Sequence, residues 1–373
     1  MLEVLWVLLR ALALCVILCS AMGAMTLIER RVIAKFQWRI GPNRAGGKIL
    51  GGLLQPTADG LKLLFKEQLI PAGARVFLYL VAPCISLVVA LTSFSVIPIQ
   101  LAKEAENAPI GPLPIPEDHF FQVADINVGV LFVLGVTSLA VYGIVLGGWA
   151  SGNKYSLIGG VRSTAQMVSY ELAMGSALLS PLMMVGSLSF AQIAVFQKGH
   201  WLAFSQPMAF VIFCIAAIAE TNRAPFDLPE AEQELGAGFH TEYSGMRFAL
   251  FFMAEYVAMI TVSAVATTVF LGGPYLPFLD IQNGAVFVLK IAMFMFGFIW
   301  LRATLPRFRY DQLMRIGWQV LLPLALLNLA ITVVGVVLGW TNWWFTGVIV
   351  SVVALLYAFG KLNRRREAAG SHH

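Results

Sequence analysis

Long runs of apolar residues recur along the whole chain, and shorter polar segments separate them. Each run has about 18–25 residues, the length with which an α-helix crosses the hydrocarbon core of a bilayer. Backbone groups in lipid need internal partners, so spanning segments are helices or the strands of closed barrels. Barrel strands alternate between apolar and polar residues over ~10 residues, whereas the runs in this chain are continuously apolar. We therefore predict an all-α polytopic integral membrane protein with about nine transmembrane helices, at residues 4–28, 76–98, 127–148, 163–186, 207–224, 246–271, 285–304, 317–339 and 343–360.

A different hydrophobic pattern occurs between the first and second predicted spans. On a helical projection of residues 55–68, Leu61 and Phe65 share one face, whereas Asp59 and Lys62 lie on another. An apolar face opposite a charged face is typical of a helix that lies in the membrane interface. We predict such an amphipathic interfacial helix here.

The distribution of charge predicts how the chain is oriented. Only 12% of residues are charged and 59% are hydrophobic, whereas soluble domains carry roughly 25% charged residues. Lys and Arg number 21 on one side of the predicted spans and 4 on the other. The positive-inside rule then places the amino terminus outside and the carboxyl terminus in the cytoplasm. Residues 98–126, rich in proline, become an extended outside loop, and residues 1–366 form one membrane domain followed by a tail at 367–373.

The sequence contains no recognisable redox centre. Its four cysteines lie in apolar runs without a C-x-x-C pair, as expected of small buried side chains. No histidines have the spacing of a haem or metal pair. We therefore expect no cofactor that is bound covalently or by metal ligation.

Three carboxylates interrupt the apolar runs of neighbouring spans. Glu171 lies inside the fourth predicted span, Glu220 near the end of the fifth and Glu255 inside the sixth. An ionised side chain in a span costs about 2.5–3.5 kcal/mol on insertion scales, and such residues commonly form proton relays. The alternative is a carboxyl group that is neutral, or paired with an arginine, for packing alone. Three such residues on neighbouring spans favour a proton relay.

The segment after the fifth predicted span is the densest cluster of acids in the chain. Its carboxylates are those of Glu220, Asp227, Glu230, Glu232, Glu234 and Glu242. Pro225 and Pro229 end the span and begin a new segment. The acids either coat a solvated loop or belong to a loop folded back onto protein, which the interleaved apolar residues favour. A metal site is disfavoured, since neither EF-hand spacing nor a completing histidine is present.

Arg302 ends the seventh predicted span and has two interpretations. The side chain extends to the cytoplasmic interface, as arginines at helix ends commonly do. Alternatively, it pairs with the carboxylates of the acidic segment. The sequence leaves both open.

Several long segments together resemble one known family. The similar blocks are Glu29 to Gly41, Gln55 to Glu67, Gly148 to Glu171, Glu220 to Gly245, Ala254 to Tyr256, and Arg302 to Met314. They resemble the family of the H subunit, a membrane component of bacterial NADH-quinone oxidoreductases and the counterpart of the first membrane-arm subunit of mitochondrial complex I. The blocks extend over most of the chain, so the resemblance is more specific than any short motif.

The resemblance implies a role for each candidate residue. Proteins of this family join the membrane arm to the peripheral arm, shape a quinone tunnel and begin a proton path. The quinone tunnel and its acidic loop would include Arg30, Asp59, Asp227, Glu230 and Glu232. The proton path would include Glu171, Glu220, Glu234, Glu255 and Arg302.

The resemblance also implies partners and a location. Quinone is the substrate, while NADH and iron–sulfur clusters bind to partner subunits. Those partners are peripheral-arm iron–sulfur and quinone-site subunits, together with antiporter-like and small membrane-arm subunits. The chain would lie in the bacterial inner (plasma) membrane among lipid, without nucleic acid.

Three other functions compete with this interpretation. The homologous membrane subunit of a proton-pumping hydrogenase or formate hydrogenlyase shares much of the pattern but uses no quinone. A secondary ion transporter would use intramembrane carboxylates, but such folds have paired repeats and broken helices, which the sequence does not indicate. A passive membrane anchor would leave the costly intramembrane acids unexplained.

Overall fold

The computed structural model describes residues 2–47, 51–100, 122–227, 238–276 and 279–339. Helices dominate this part of the chain, and a short antiparallel hairpin links two of them. The elements, labelled here in chain order, are α1 (Leu2–Phe36), α2 (Gln55–Phe65), α3 (Val76–Phe94), α4 (Gly129–Ser138), α5 (Ala140–Ala150), α6 (Lys154–Val185), α7 (Phe190–Phe196), α8 (Leu202–Ser205), α9 (Pro207–Glu220), α10 (Gly245–Phe270), β1 (Tyr275–Leu276), β2 (Leu279–Gln282), α11 (Gly284–Thr304), α12 (Tyr310–Arg315) and α13 (Leu322–Val337).

Seven helical stretches of the described residues are long and apolar enough to cross a membrane. They are Val4–Phe36, Val76–Phe94, Gly129–Ala150, Lys154–Val185, Gly245–Phe270, Gly284–Thr304 and Tyr310–Val337. Helix α9 is apolar but has only 14 residues, about 21 Å. It agrees with the fifth predicted span in position, and most of its side chains are buried. The prediction of a helical membrane protein is confirmed, while the ninth predicted span, at 343–360, and the tail at 367–373 lie outside the described residues.

Two helices continue well beyond the predicted spans. Helix α1 has 35 residues, about 52 Å, so its polar last turns extend past the apolar part. Helix α6 begins at Lys154, nine residues before the predicted start at 163, where the Asn153 side chain accepts a hydrogen bond from the backbone N–H of Tyr155. Hydropathy locates the apolar stretch in lipid but not the helix end. The bounds predicted from apolar length alone were wrong at both positions.

Two of the predicted spans are not uniform α-helices. The third predicted span consists of α4 and α5, which meet at Leu139. Just before Leu139, the Thr137 and Ser138 hydroxyls donate to backbone carbonyls three residues earlier. Such side-chain hydrogen bonds compete with those of the helix backbone and can bend a helix. In the eighth span a π-helical turn separates α12 from α13 and ends just before Pro323, which has no N–H to donate.

The alternation of the helices defines two ends of the molecule. In the described part of the chain, the carboxylate face contains the connecting residues 37–47, 51–75, 151–153, 221–227, 238–244 and 305–309, and the cap face contains 95–100, 122–128, 186–206, 271–276 and 279–283. At the carboxylate face, a backbone hydrogen bond from Phe308 to Pro225 joins two of these connections, and at the cap face one from Val123 to Ser95 joins the two described ends of the connection after α3. Which face is cytoplasmic stays a prediction, and residues 101–121 of the predicted outside loop are not described.

Helix α2 agrees with the predicted amphipathic helix but ends at Phe65 rather than at 68. Leu61, Leu64 and Phe65 are exposed on it, and none of its residues is buried. By contrast, α6, α9 and α10 form the centre of the bundle, where Tyr170, Phe213 and Phe270 are fully buried. The site described next lies where these central helices reach the carboxylate face.

Candidate functional site

A buried ion cluster connects four segments of the chain at the carboxylate face. Glu29 of α1 pairs with Arg302 at the end of α11, and its Oε1 lies 3.5 Å from Nη1 of Arg223. The Tyr256 hydroxyl donates to the other oxygen of Glu29 at 2.6 Å. Both Glu29 and Arg223 are buried, whereas Arg302 is partly exposed. Glu29 is therefore the residue through which both arginines and α10 are joined.

Arg223 also pairs with Glu255 of α10. Its Nε lies 2.6 Å from Oε1 of Glu255, a contact held by charge rather than by a linear hydrogen bond. The guanidinium carbon lies 4.3 Å from the centre of the Tyr256 ring. Burial alone would lower the pKa of Arg223, but Glu255, Tyr256 and Glu29 outweigh it and raise that pKa above its usual value. The cluster thus combines two cations and two carboxylates, so its charges balance.

Glu220 lies at the end of α9, beside this cluster, and lines a cavity of about 90 Å³ with Glu255, Asn222, Thr221 and His240. The cavity is large enough for several water molecules. Among the residues that the structure describes, Oε2 of Glu220 has no hydrogen-bond partner. A buried carboxyl oxygen beside a small cavity that several polar side chains line is suited to exchange a proton with water in it.

Glu171, on α6, is the third intramembrane acid. It lies close enough to Glu220 for their negative charges to repel one another. Glu220 therefore interacts with Glu171 and also shares a cavity with Glu255.

His240 is a cavity residue that the sequence did not indicate. It ends a 3₁₀ turn, Gly238–His240, and packs against the rings of Phe239 and Phe251. Burial lowers its pKa to about 3, so the imidazole is neutral at pH 7. It contributes a polar but uncharged wall to the Glu220 cavity.

One amide of α6 holds the 221–227 segment in place, and a close backbone approach of α6 positions the 238–240 turn. Nε2 of Gln166, on α6, donates to the carbonyls of Ala219 and Phe226, both at 2.7 Å. A Cβ atom at Gly159 would lie 2.7 Å from Cα of Gly238, so α6 and the 238–240 turn touch backbone to backbone. The position of Arg223 therefore depends on contacts with α6 that are distant in sequence.

Two further ion pairs lie at the same face. Nη1 of Arg30 lies 2.6 Å from Oδ2 of Asp59, and Gln55 donates to the other oxygen of that carboxylate at 3.0 Å. Asp227 is buried and pairs with the half-exposed Arg307 at 3.4 Å. The first pair joins α1 to the amphipathic helix α2, and the second joins the 221–227 segment to the connection after α11.

The structure therefore brings together only some of the predicted site residues. Glu220, Glu255 and Arg302 lie in or beside the central cluster, and Glu171 interacts electrostatically with Glu220. Arg30 pairs with Asp59, and Asp227 with Arg307. Glu230, Glu232 and Glu234 lie outside the described residues. Of the two interpretations of Arg302, pairing is present, but its partner is Glu29. Within the described part of the chain, no group of three His, Cys, Asp or Glu side chains could hold a metal.

Glu29 and Arg223 are central to this geometry, yet the sequence did not mark them as site residues. Both are charges at predicted span ends, where ionisable side chains are common. A signal was available, because each lies in a block that carries the family resemblance.

Comparison with known proteins agrees with that resemblance. A family model described as NADH dehydrogenase matches residues 9–333. The H subunit of the NADH-quinone oxidoreductase of Protochlamydia amoebophila is 54% identical over 84% of this chain and 92% of its own length. The corresponding protein of Thermomicrobium roseum is 52% identical over 85% of this chain and 92% of its own length. Subunit 8 of the NADH-quinone oxidoreductase of Thermus thermophilus is 50% identical over 88% of this chain and 87% of its own length. The chain belongs to the H subunit family of NADH-quinone oxidoreductase, a multi-subunit enzyme in which it is a membrane component.

Proposed function

We propose that this chain forms much of a quinone tunnel and begins a carboxylate proton path that couples quinone reduction to proton translocation. The observation that carries the proposal is the buried pairing of Arg223 with Glu29 and Glu255 next to the Glu220 cavity. Ionic clusters are costly inside a membrane protein, and functional sites commonly contain them. The names of the relatives identify the reaction as the oxidation of NADH by a quinone.

Reduction of a quinone to a quinol takes two electrons and two protons. In this proposal the electrons come from iron–sulfur clusters of peripheral-arm partner subunits, and NADH binds elsewhere in the same assembly. This chain contributes charged and apolar walls. Arg30 and Asp59 belong to the tunnel, and Asp227, Glu230 and Glu232 belong to the acidic loop beside it.

The balanced charges of the ion cluster are what link the two reactions. A carboxylate that accepts a proton stops compensating its arginine, and the freed positive charge favours ionisation of a neighbouring acid. Proton uptake at the tunnel can thus shift protons among Glu234, Glu255, Glu220 and Glu171. Arg302 contributes by pairing with Glu29. From Glu171 the protons continue to antiporter-like and small membrane-arm subunits in the bacterial inner membrane.

Arg223→Gln tests this proposal. The variant keeps polarity but leaves Glu29 and Glu255 without their shared cation. We expect the complex to assemble and to keep its NADH:ferricyanide activity, because ferricyanide takes electrons before the tunnel. We expect its NADH:quinone activity to fall at least about tenfold, the loss that ~1.4 kcal/mol of additional barrier produces. Arg315→Gln, at an exposed position of α12, is the matched control and should behave like the wild type. Unchanged quinone activity in Arg223→Gln would contradict the proposal.

A further inference from the structure

Lys290 of α11 is a buried cation in the half of the molecule away from the ion cluster. Twelve residues separate it from Arg302, about 18 Å along the helix. Its Nζ donates to the carbonyls of Leu271 at 2.6 Å, Gly273 at 2.8 Å and Tyr275 at 2.6 Å. The loop that provides these carbonyls belongs to the cap face.

The three acceptors define the protonation state that fits this site. An ammonium group has three N–H bonds and a neutral amine has two, so three carbonyls at hydrogen-bond distance match the charged form. Nζ also lies 5.1 Å from the centre of the Trp201 ring, which favours a cation. Among the carboxylates whose side chains the structure describes, which do not include that of Asp280, none forms an ion pair with Lys290. The described contacts of the ammonium group are therefore backbone carbonyls and an aromatic ring, which suit a positive charge.

A poorly filled region of the bundle leads from the ion cluster towards this charge. A cavity of about 330 Å³ lies between α9, α10 and α11, and its walls extend from Leu301 to Lys290. They are apolar apart from the side chains of Cys214, Ser263 and Lys290. Val262 lines both this cavity and the one that contains Glu220. The two cavities are therefore neighbours, and Lys290 lies at the end distant from the acids.

Such a region is a hazard in a membrane that holds a proton gradient. Transient entry of water would connect the acids to the cap face, and protons could then cross without quinone reduction. Apolar walls oppose wetting, and a fixed positive charge opposes the entry of protons and other cations into a pore. Lys290 provides that charge at the far end of the cavity.

We propose that Lys290 is an electrostatic barrier that stops protons from leaking between the cap face and the Glu220 cavity. The inference rests on the proposed proton path, since it assigns Lys290 the task of closing that path on one side. The competing explanation is that Lys290 only anchors the 271–275 loop. Gln197 distinguishes the two, because Oε1 accepts from the Gly272 N–H and Nε2 donates to the Thr268 and Val269 carbonyls, so it anchors the same loop without a charge.

The test measures passive proton leak, without NADH or quinone turnover. Assembled complex is reconstituted in liposomes, a potassium diffusion potential is imposed with valinomycin, and proton influx is followed with an internal pH dye. The variants are Lys290→Met, Lys290→Gln, Lys290→Arg and Gln197→Leu. Lys290→Gln can still donate to some of the carbonyls, so it is the neutral variant to be measured if Lys290→Met assembles poorly.

We expect the two neutral variants to leak roughly tenfold faster than the wild type, as removal of a nearby unit charge implies at an effective dielectric constant of ~20. Lys290→Arg keeps the charge and Gln197→Leu loosens only the loop, so both should stay close to the wild-type leak. A leak no faster than that of the wild type in the neutral variants would overturn the proposal. A leak in Gln197→Leu or Lys290→Arg as fast as that of the neutral variants would also overturn it. Because no turnover is involved, these outcomes are independent of whether Arg223→Gln impairs quinone reduction.

Discussion

Arg223 and Glu255 lie 2.6 Å apart, although Arg223 follows α9 and Glu255 lies in α10, 32 positions later in the chain. The same guanidinium approaches Glu29, 194 positions earlier, so one side chain joins the first helix to the centre of the bundle. Breaking a buried pair by removing one partner costs roughly 3–5 kcal/mol, because the remaining charge stays buried. The cluster therefore contributes to the stability of the bundle as well as being a candidate site.

The first prediction concerns Glu29. In Glu29→Gln the Tyr256 hydrogen bond can be kept, but Arg223 and Arg302 lose the carboxylate that they share. We expect a loss of roughly 3–5 kcal/mol in stability, seen as a lower melting temperature of purified complex, and impaired quinone reduction. Glu67→Gln, at an exposed position of the carboxylate face, is the control. A Glu29→Gln complex as stable and active as the wild type would show that the shared pairing has no energetic role.

The second prediction separates proton translocation from assembly. Glu255→Gln and Glu171→Gln keep the shape and hydrogen-bonding capacity of the side chains but cannot ionise. We expect both variants to assemble and to show reduced NADH-driven proton pumping, followed with a pH-sensitive dye in membrane vesicles. Pumping equal to the wild type in both would remove these two residues from the proton path.

The third prediction is a pH dependence caused by His240. Burial lowers the pKa of His240 to about 3, so below its usual pKa of about 6.5 the unfolded chain binds a proton that the folded chain excludes. The stability contributed by neutral burial is therefore complete above about pH 6.5 and is lost as the pH falls towards 3. Between about pH 6.5 and about pH 5 the loss is about 2 kcal/mol. Melting temperatures of wild type and His240→Gln should converge over that range, and parallel curves would contradict the prediction.

The sequence predicted the described spans well because apolar length is the main signal in lipid. It could not predict the break at Leu139 or the π-helical turn at Ile316–Leu321, which depend on local hydrogen bonds rather than on hydropathy. Nor could the sequence predict a helix end where polar turns continue a helix past its apolar part. Helix α1, for example, continues through Glu29 to Phe36.

The candidate site was predictable in part for a related reason. Glu171, Glu220 and Glu255 are visible in the sequence because lipid makes a carboxylate in mid-span costly. Arg223 and Glu29 look like ordinary charges at span ends, and only the packing of α1 against α10 shows that they are buried together. Lys290 is one of the four Lys and Arg residues on the predicted outside of the spans, the others being Arg10, Lys103 and Lys198, and its side chain is buried against backbone carbonyls, which the sequence does not indicate.

The most direct test of coupling is the number of protons translocated per NADH oxidised by Glu220→Gln complex in liposomes. Glu220 lines the cavity beside the ion cluster and repels Glu171, so it is the proposed link between quinone chemistry and the intramembrane acids. We predict that this ratio falls below the wild-type ratio, measured at matched NADH oxidation rates and after correction for passive leak. A ratio equal to that of the wild type in fully assembled Glu220→Gln complex would contradict the proposed coupling.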